Sequence, residues 1–107
     1  MRLIPITTAL IASLAATVAS ASDLTLTLKN HQFSPQTLEI PANTKVKLTV
    51  INQDPTPAEF ESHDLKREKV VDGNSQVIVY LGPVSAGTYS FCDDFRCDTV
   101  KGTVVVK

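Results

Sequence analysis

The two cysteines of this 107-residue chain lie in one short acidic loop near its C-terminal end. Cys92 and Cys97 enclose Asp93 and Asp94, and Asp98 follows directly. Thiolates favour soft metal ions such as copper, whereas carboxylates favour hard cations that prefer oxygen ligands. The same spacing also suits a disulfide that closes a small loop in an exported protein. The loop is therefore either part of a metal site or a stapled turn, and the residue types leave both interpretations open.

A second group of candidate ligands follows a proline-rich loop in the middle of the chain. Alternation along a strand places Glu59 and Glu61 on the face opposite Phe60, and unbroken alternation adds His63 to that face. The alternative is a solvated acidic face that binds nothing. If this strand and the cysteine loop meet at one end of the fold, we predict a mixed oxygen–sulfur metal site. Its six candidate ligands are Glu59, Glu61, His63, Cys92, Asp93 and Cys97.

The elements that must position these residues are predicted to be β-strands. Apolar residues alternate with polar ones in several short runs, and turn-forming Pro, Gly, Asn and Asp residues separate these runs. No stretch shows helical periodicity long enough for a crossover helix. The pattern therefore predicts an all-β fold, an antiparallel Greek-key β-sandwich in one domain. The clearest alternating sets are Leu24, Leu26 and Leu28; Val46, Leu48 and Val50; and Val77, Val79 and Leu81.

The N-terminal segment has the features of a secretory signal peptide. Arg2 supplies a positive charge, an apolar run follows, and Ala19-Ser20-Ala21 has the small-residue spacing that signal peptidase recognises. We predict cleavage after Ala21, with residues 1–21 as the signal peptide and residues 22–107 as the mature domain. The apolar run is too short for a convincing membrane anchor, so we expect no stable membrane insertion. Export to the periplasm would permit disulfide formation.

The composition excludes some classes of partner. Cleavage would remove one of the ten Lys and Arg residues and none of the eleven Asp and Glu residues, which leaves a net charge of −2. That balance gives no reason to expect nucleic-acid binding. The only methionine is Met1, so the mature domain offers no thioether ligand.

The cysteine loop and its flanking strands resemble the copper-loop end of the cupredoxin-like family. The sequence Gly-Thr-Tyr-Ser-Phe-Cys at positions 87–92 precedes the loop, and Gly-Thr-Val-Val-Val follows it at positions 102–106. Cys92 stands where the family has its copper thiolate, and Glu59 lies near the position of the first histidine ligand. Arg96 lies near the position of a loop histidine, and no methionine follows. The usual trigonal His₂Cys site with an axial Met therefore cannot be built in the usual way.

A narrower resemblance is to the periplasmic cupredoxin-like partners of bacterial iron permeases, including the N-terminal domain of EfeO-type proteins. It rests on the runs Phe-Ser-Pro at 33–35, Asn-Gln-Asp at 52–54, Glu-Phe-Glu-Ser at 59–62 and Asp-Thr-Val-Lys-Gly at 98–102. The carboxylate pair of that subfamily matches Glu59 and Glu61, and its strand-end thiol matches Cys92. EfeO-type members have a second cysteine near Phe33, which this chain lacks. Cys97 is the candidate to replace it.

This resemblance implies binding of copper and iron and a role in ferrous-iron uptake, with an iron permease or another periplasmic iron-uptake component as partner. It leaves open whether the protein also oxidises ferrous iron in a metal-dependent reaction. Two alternatives remain from the residues themselves. One is a copper-binding carrier or tolerance protein without turnover, and the other is a disulfide-stapled β-sandwich that binds no metal.

Overall fold

Nine β-strands and one 3₁₀ turn make up residues 23–107, the part of the chain that this computed structural model describes. The predicted signal peptide and its cleavage site lie outside the described residues. Within residues 23–107, no helix is long and apolar enough to cross a membrane. The strands are β1 (Asp23–Lys29), β2 (Gln32–Ser34), β3 (Thr37–Ile40), β4 (Val46–Asn52), β5 (Ala58–Ser62), β6 (Arg67–Val71), β7 (Ser75–Leu81), β8 (Gly87–Asp93) and β9 (Lys101–Val106), and the 3₁₀ turn is Asp94–Arg96.

The strands form two sheets. One has the order β2-β1-β4-β7, and the other has the order β3-β9-β8-β5-β6. Neighbours such as β1 and β4 are distant in sequence, as Greek-key connections require. The predicted all-β sandwich is confirmed, with one refinement. Each sheet is mixed rather than purely antiparallel, because β1 pairs with β4 and β3 pairs with β9 in parallel.

The core lies between the sheets and follows from strand alternation. Leu24, Leu26 and Leu28 of β1 are buried while their polar neighbours are more exposed, because successive side chains of a strand point to opposite faces. The same holds for β4, where Lys47 is exposed between buried Val46 and Leu48. The predicted inward faces of both strands are thereby confirmed.

Three phenylalanines pack together beneath the part of the five-stranded sheet that carries the candidate ligands. The ring of Phe91 makes an edge-on contact with Phe33 at 5.1 Å between centroids and stacks on Phe60 at 5.4 Å. Gly102, opposite Phe91 on β9, leaves room for this ring, because a Cβ there would collide with Phe91 and with the carbonyl oxygen of Gln36. The aromatic packing fixes β5 and β8 side by side.

The loop between β4 and β5 is held by a buried aspartate. Asp54 accepts backbone N–H bonds from Asn30 at 2.7 Å and from His31 at 2.9 Å. Asn30 and His31 both have positive φ angles and form the turn between β1 and β2. Asn52 supports the same loop by accepting a hydrogen bond from the N–H of Asp54. The loop that precedes Glu59 is therefore well defined.

Candidate metal centre

Strand β5 presents two carboxylates to the outer face of the five-stranded sheet. Ala58, Phe60 and Ser62 are buried, and Glu59 and Glu61 alternate with them at intermediate exposure. The burial of Phe60 in the aromatic cluster fixes this orientation, because a shift of one residue would exchange the two faces. The structure thus places Glu59 and Glu61 on one face, opposite Phe60.

The two glutamates meet a third one on the neighbouring strand. Glu68 of β6 lies directly opposite Glu61 in the antiparallel register. One carboxylate oxygen from each of Glu59, Glu61 and Glu68 can be chosen so that all three lie within 4.8 Å of one another. Two oxygens on opposite sides of a cation, each at about 2.0–2.6 Å from it, are about 4–5 Å apart. The spread of these oxygens therefore matches ligation of a single ion.

One carboxylate oxygen of Glu61, Oε2, is buried without a hydrogen-bond donor. Burial raises the pKa of Glu61, and the hydrogen bond and charge of Glu68 and the charges of Asp94 and Glu59 raise it further. A buried oxygen without a partner needs a physical explanation, and an ion that ligates it is one.

Asp94 extends the group from the other side. Burial raises the pKa of Glu59, and Asp94 adds to the rise through a side-chain hydrogen bond and its charge. Asp94 is the first residue of the 3₁₀ turn that follows β8. We refer to Glu59, Glu61, Glu68 and Asp94 together as the acid cluster. Its members face one another, and none of them forms a salt bridge among the described residues.

Asp93, a predicted ligand, points to the opposite side of the sheet. It is fully buried, and its Oδ1 accepts the backbone N–H of Glu59 at 2.9 Å and of Phe95 at 3.1 Å. Its Oδ2 pairs with the guanidinium of Arg96 at 3.0 Å. The structure therefore gives Asp93 a supporting position: it caps the 3₁₀ turn and ties that turn to the start of β5.

Cys92 and Cys97 form a disulfide. The sequence left a thiolate metal site and a stapled turn as alternatives, and in this state of the protein the turn is stapled. Cys92 nevertheless lies beside the acid cluster, because it is opposite Glu61 in the pairing of β5 with β8. The structure thus brings Cys92 and Glu61 together, with the sulfur in a disulfide rather than in a free thiolate.

His63 does not continue the face of Glu59 and Glu61 along a strand. Strand β5 ends at Ser62. The hydroxyl of Ser62 donates to the carbonyl of Ser90 and accepts the N–H of Leu65, and the second of these bonds closes the turn that follows the strand. His63 is exposed in that turn. It lines the same cleft as Glu61 and so remains near the cluster.

Glu68 and Asp94 are the members of the acid cluster that the sequence reasoning missed. Two signals could have found them. A short turn after Ser62 returns the chain antiparallel to β5. Pairing residues outward from both ends of this turn places Glu68 opposite Glu61. Inward orientation of Phe91 makes Asp93 point inward as well, so Asp94 is the next carboxylate available to the outer side.

An open cleft of about 740 Å³ lies against these residues. Its walls include Glu61, His63 and Asp94 on one side and Lys101 and Thr103 of β9 on the other. Both cysteines also line it. An ion or small chelate can therefore approach Glu61 and the disulfide from the same opening.

The donor atoms fit a hard cation better than a blue-copper centre. A blue-copper centre takes two histidine nitrogens, a cysteine thiolate and a weak axial ligand. Here both cysteine sulfurs are in the disulfide, and His31 lies against Asp54, at 3.6 Å between Nδ1 and Oδ2. The acid cluster itself offers only oxygen ligands, which suit cations such as iron, manganese, calcium or magnesium, and His63 is the one imidazole that lines the same cleft among the described residues.

Comparisons with known proteins agree with this architecture. An uncharacterised protein of Rickettsia prowazekii (strain Madrid E) is 40% identical over 84 residues, which cover 78% of this chain and 67% of that protein. The metal-binding domain of the Cu(I)-exporting P-type ATPase CopA of Streptococcus pneumoniae D39, with Cu(I), has a TM-score of 0.71 at 11% identity, over 79% of this chain and 84% of that one.

Dithionite-reduced auracyanin from Roseiflexus castenholzii has a TM-score of 0.70 at 10% identity, over 82% of this chain and 98% of that one. At such identities the structural likeness shows the fold. The sequence itself matches the cupredoxin-like domain over residues 2–106. This chain therefore belongs to the cupredoxin-like domain family.

Proposed function

We propose that this protein is a periplasmic iron-binding cupredoxin that assists ferrous-iron uptake, with the acid cluster as its iron site. The observation that carries the proposal is the convergence of Glu59, Glu61 and Glu68 around one point, with Oε2 of Glu61 buried and lacking a partner. Folding brings these negative groups together although they repel one another. A bound cation would offset that repulsion and supply the missing partner of Glu61.

The choice of iron rests on two supports. Carboxylate oxygens favour hard cations, and ferric iron is held by them more strongly than ferrous iron because of its higher charge. The resemblance of Glu59 and Glu61 to the carboxylate pair of iron-permease partners favours iron over calcium or magnesium. An iron permease or another periplasmic uptake component is then the proposed recipient.

The proposed activity is binding and delivery. Oxidation of ferrous iron needs an electron acceptor, and carboxylates cannot accept an electron from the metal. The described donor atoms do not fit copper while Cys92 and Cys97 are joined, so copper is not assigned as that acceptor. A ferroxidase reaction is therefore a separate question, which the rate of ferrous loss in air, with and without the protein, can answer.

The proposed location follows from the predicted signal peptide. The disulfide supports it, because such bonds persist in oxidising compartments and are rare in a reducing cytosol. The mass of the protein recovered from a periplasmic fraction tests it, since cleavage after Ala21 leaves Ser22 as the first residue.

Calorimetric titration with ferrous ion under argon tests the iron site. We expect one ion per chain for the wild-type protein and at least about tenfold weaker binding, about 1.4 kcal/mol, for Glu61→Gln. Asp72→Asn is the matched control, because Asp72 is an exposed residue in the turn between β6 and β7 and its loss changes the net charge equally. Equal affinities for wild type and Glu61→Gln, or no binding at all, would contradict the proposal.

A copper carrier is the second candidate, and the names of the structural neighbours favour it: one contains Cu(I) in its metal-binding domain. Cuprous binding to the protein as isolated, unchanged by Glu61→Gln, would support this candidate. Binding of neither metal would leave the disulfide-stapled sandwich as the correct interpretation.

A further inference from the structure

The disulfide lies in the same row of side chains as the acid cluster. Register across four strands aligns Glu68 with Glu61, Glu61 with Cys92, and Cys92 with Lys101. These positions share the outer face of the sheet, because aligned residues of paired strands point to the same side. Cys92 is therefore the only sulfur-bearing position of this row within the described residues, and it is adjacent to the carboxylate whose oxygen lacks a partner.

The disulfide can be reached from solvent. Cys92 is only 6% exposed, but Cys97 is exposed, and both line the open cleft. Thiol–disulfide exchange requires access to one sulfur atom, and attack on Cys97 releases Cys92. The geometry therefore permits reduction without prior unfolding.

The loop that carries the cysteines is also held by bonds other than the disulfide. The N–H of Asp93 donates to the carbonyl of Val100 at 2.9 Å, and the N–H of Val100 donates to the carbonyl of Arg96 at 2.9 Å. The Asp93 carboxylate adds its bonds to Phe95 and Arg96. Opening the disulfide would thus free the sulfur of Cys92 while the loop keeps Cys92 beside Glu61.

We propose that this disulfide is a redox lock that sets which class of metal the site accepts. With the bond closed, the row offers oxygen ligands only and excludes soft cations. A dithiol reductant transfers two electrons and two protons, its own sulfurs form a disulfide, and the S–S bond becomes two thiols. Loss of the Cys92 proton on metal binding then adds a thiolate beside Glu61, which suits cuprous ion. The inference rests on the proposed function, since it concerns regulation of that same site.

Lys101 is placed to stabilise the negative charge of a Cys92 thiolate. It is opposite Cys92 on β9 and lines the same cleft. An ammonium group near a thiolate offsets its negative charge, whereas the other neighbours of Cys92 in this row are carboxylates. The carboxylate of Glu61 would repel a Cys92 thiolate. The positive charge of Lys101, on the other side of Cys92, reduces this repulsion.

Competition for cuprous ion against a chromophoric chelator tests the lock. The oxidised protein is compared with protein reduced by a phosphine, desalted and kept under argon. We expect the reduced form to take cuprous ion from the chelator at least tenfold more strongly than the oxidised form. Cys97→Ser, which leaves Cys92 permanently free, should behave like the reduced form without any reductant. Cys92→Ser should remain at least tenfold weaker than Cys97→Ser.

Equal competition by oxidised and reduced protein would overturn the lock, and so would equal affinities of Cys92→Ser and Cys97→Ser. Far-ultraviolet circular dichroism of each form shows whether the sandwich is retained, and loss of the β-sheet spectrum on reduction would also contradict the proposal. Ferrous titration of the oxidised protein is a separate readout. Its failure, together with a copper affinity that follows the disulfide, would remove the iron function alone.

Discussion

Carboxylates are held in opposite ways in two regions of this domain. In one region, aspartates in a loop and at a strand end accept hydrogen bonds from backbone N–H groups: Asp54 from Asn30 and His31, and Asp93, the last residue of β8, from Glu59 and Phe95. On the outer face of the five-stranded sheet, the acid cluster brings carboxylates against one another, and Oε2 of Glu61 has no partner. Identical chemical groups thus serve as structural acceptors in one region and lack donors in the other.

The pKa values move in opposite directions in the two regions. Burial would raise the pKa of Asp54, but the N–H bonds of His31 and Asn30 and the charge of His31 outweigh it and lower that pKa. The N–H and hydroxyl of Ser90 lower the pKa of Asp64. Burial and neighbouring carboxyl groups raise the pKa of Glu59 and of Glu61. Asp54 and Asp64 are therefore stabilised by the fold as anions, whereas Glu59 and Glu61 are destabilised as anions.

This contrast separates residues that maintain the fold from residues available to a ligand. A charge satisfied by protein donors gains little from an added cation and loses much when its partners are left unpaired. A charge without donors gains most from a cation. The structural role belongs to Asp54 and Asp93, and the proposed binding role is that of the acid cluster.

The largest effect is expected from comparing Asp93→Ala with Asp94→Ala, two adjacent residues from the two regions. Asp93→Ala removes the acceptor of two backbone N–H groups and of the Arg96 guanidinium, so we expect a loss of about 3 kcal/mol in the free energy of unfolding. Asp94→Ala should change it by less than about 0.5 kcal/mol. Urea denaturation of metal-free protein measures both.

The contrast would fail if the two variants lost similar amounts of stability. Iron binding adds a second readout to the same pair. Asp94→Ala should weaken ferrous binding, because its carboxyl group lies against Glu59. A folded Asp94→Ala protein with unchanged ferrous affinity would remove Asp94 from the acid cluster.

The inward faces of the strands could be predicted from the sequence because alternation is a local property. Leu24, Leu26 and Leu28 needed only their own polar neighbours to be assigned. The parallel pairing of β1 with β4 could not be predicted in this way, because each residue of β1 pairs with a residue 24 positions later in the chain. Several partners in a sandwich present equally apolar inner faces.

The candidate site was predicted in part for the same reason. Glu59 and Glu61 follow from alternation around Phe60, whereas Glu68 lies on β6, where four consecutive residues are exposed and alternation gives no signal. Alternation from Phe91 orients Asp93 inward, but the sequence does not reveal that its carboxylate accepts the N–H of Glu59. Glu59 lies 34 residues before Asp93, and such a contact is not encoded locally.

A smaller effect is expected in the dependence of stability on pH for metal-free protein. The folded pKa of Asp54 is below its unfolded value of about 4, so its contribution is present above about pH 4 and is lost as the pH falls through the folded pKa. Glu59 and Glu61 have folded pKa values above the unfolded value of about 4.3. Ionised Glu59 and Glu61 therefore lower the free energy of unfolding. This decrease is complete above their folded pKa values and disappears as the pH falls toward their unfolded pKa.

We therefore expect the free energy of unfolding to rise as the pH is lowered through the folded pKa values of Glu59 and Glu61, and to fall below about pH 4 as Asp54 becomes protonated. Glu61→Gln should reduce the rise, and Asp54→Asn should reduce the fall at acidic pH. Urea denaturation across this range, after chelator treatment, measures each limb. A profile that Glu61→Gln leaves unchanged would show that the cluster carboxyl groups do not repel one another in the folded protein.

The smallest effect on stability is expected for Glu68→Gln, and here the direction is unusual: the metal-free variant should be more stable than wild type. Glu68 and Glu61 are directly opposite on neighbouring strands, and like charges in that arrangement destabilise a sheet by about 0.2–1 kcal/mol. Removing one charge should therefore stabilise the metal-free protein by about 0.5 kcal/mol. With excess ferrous ion under argon the order should reverse, because wild type gains binding free energy that the variant has lost. Asp72→Asn should show neither change. A Glu68→Gln protein that is less stable than wild type without metal would mean that this carboxylate contributes to the fold. Glu68 would then belong with the structural carboxylates, and the distinction between the two regions would fail at this member of the acid cluster.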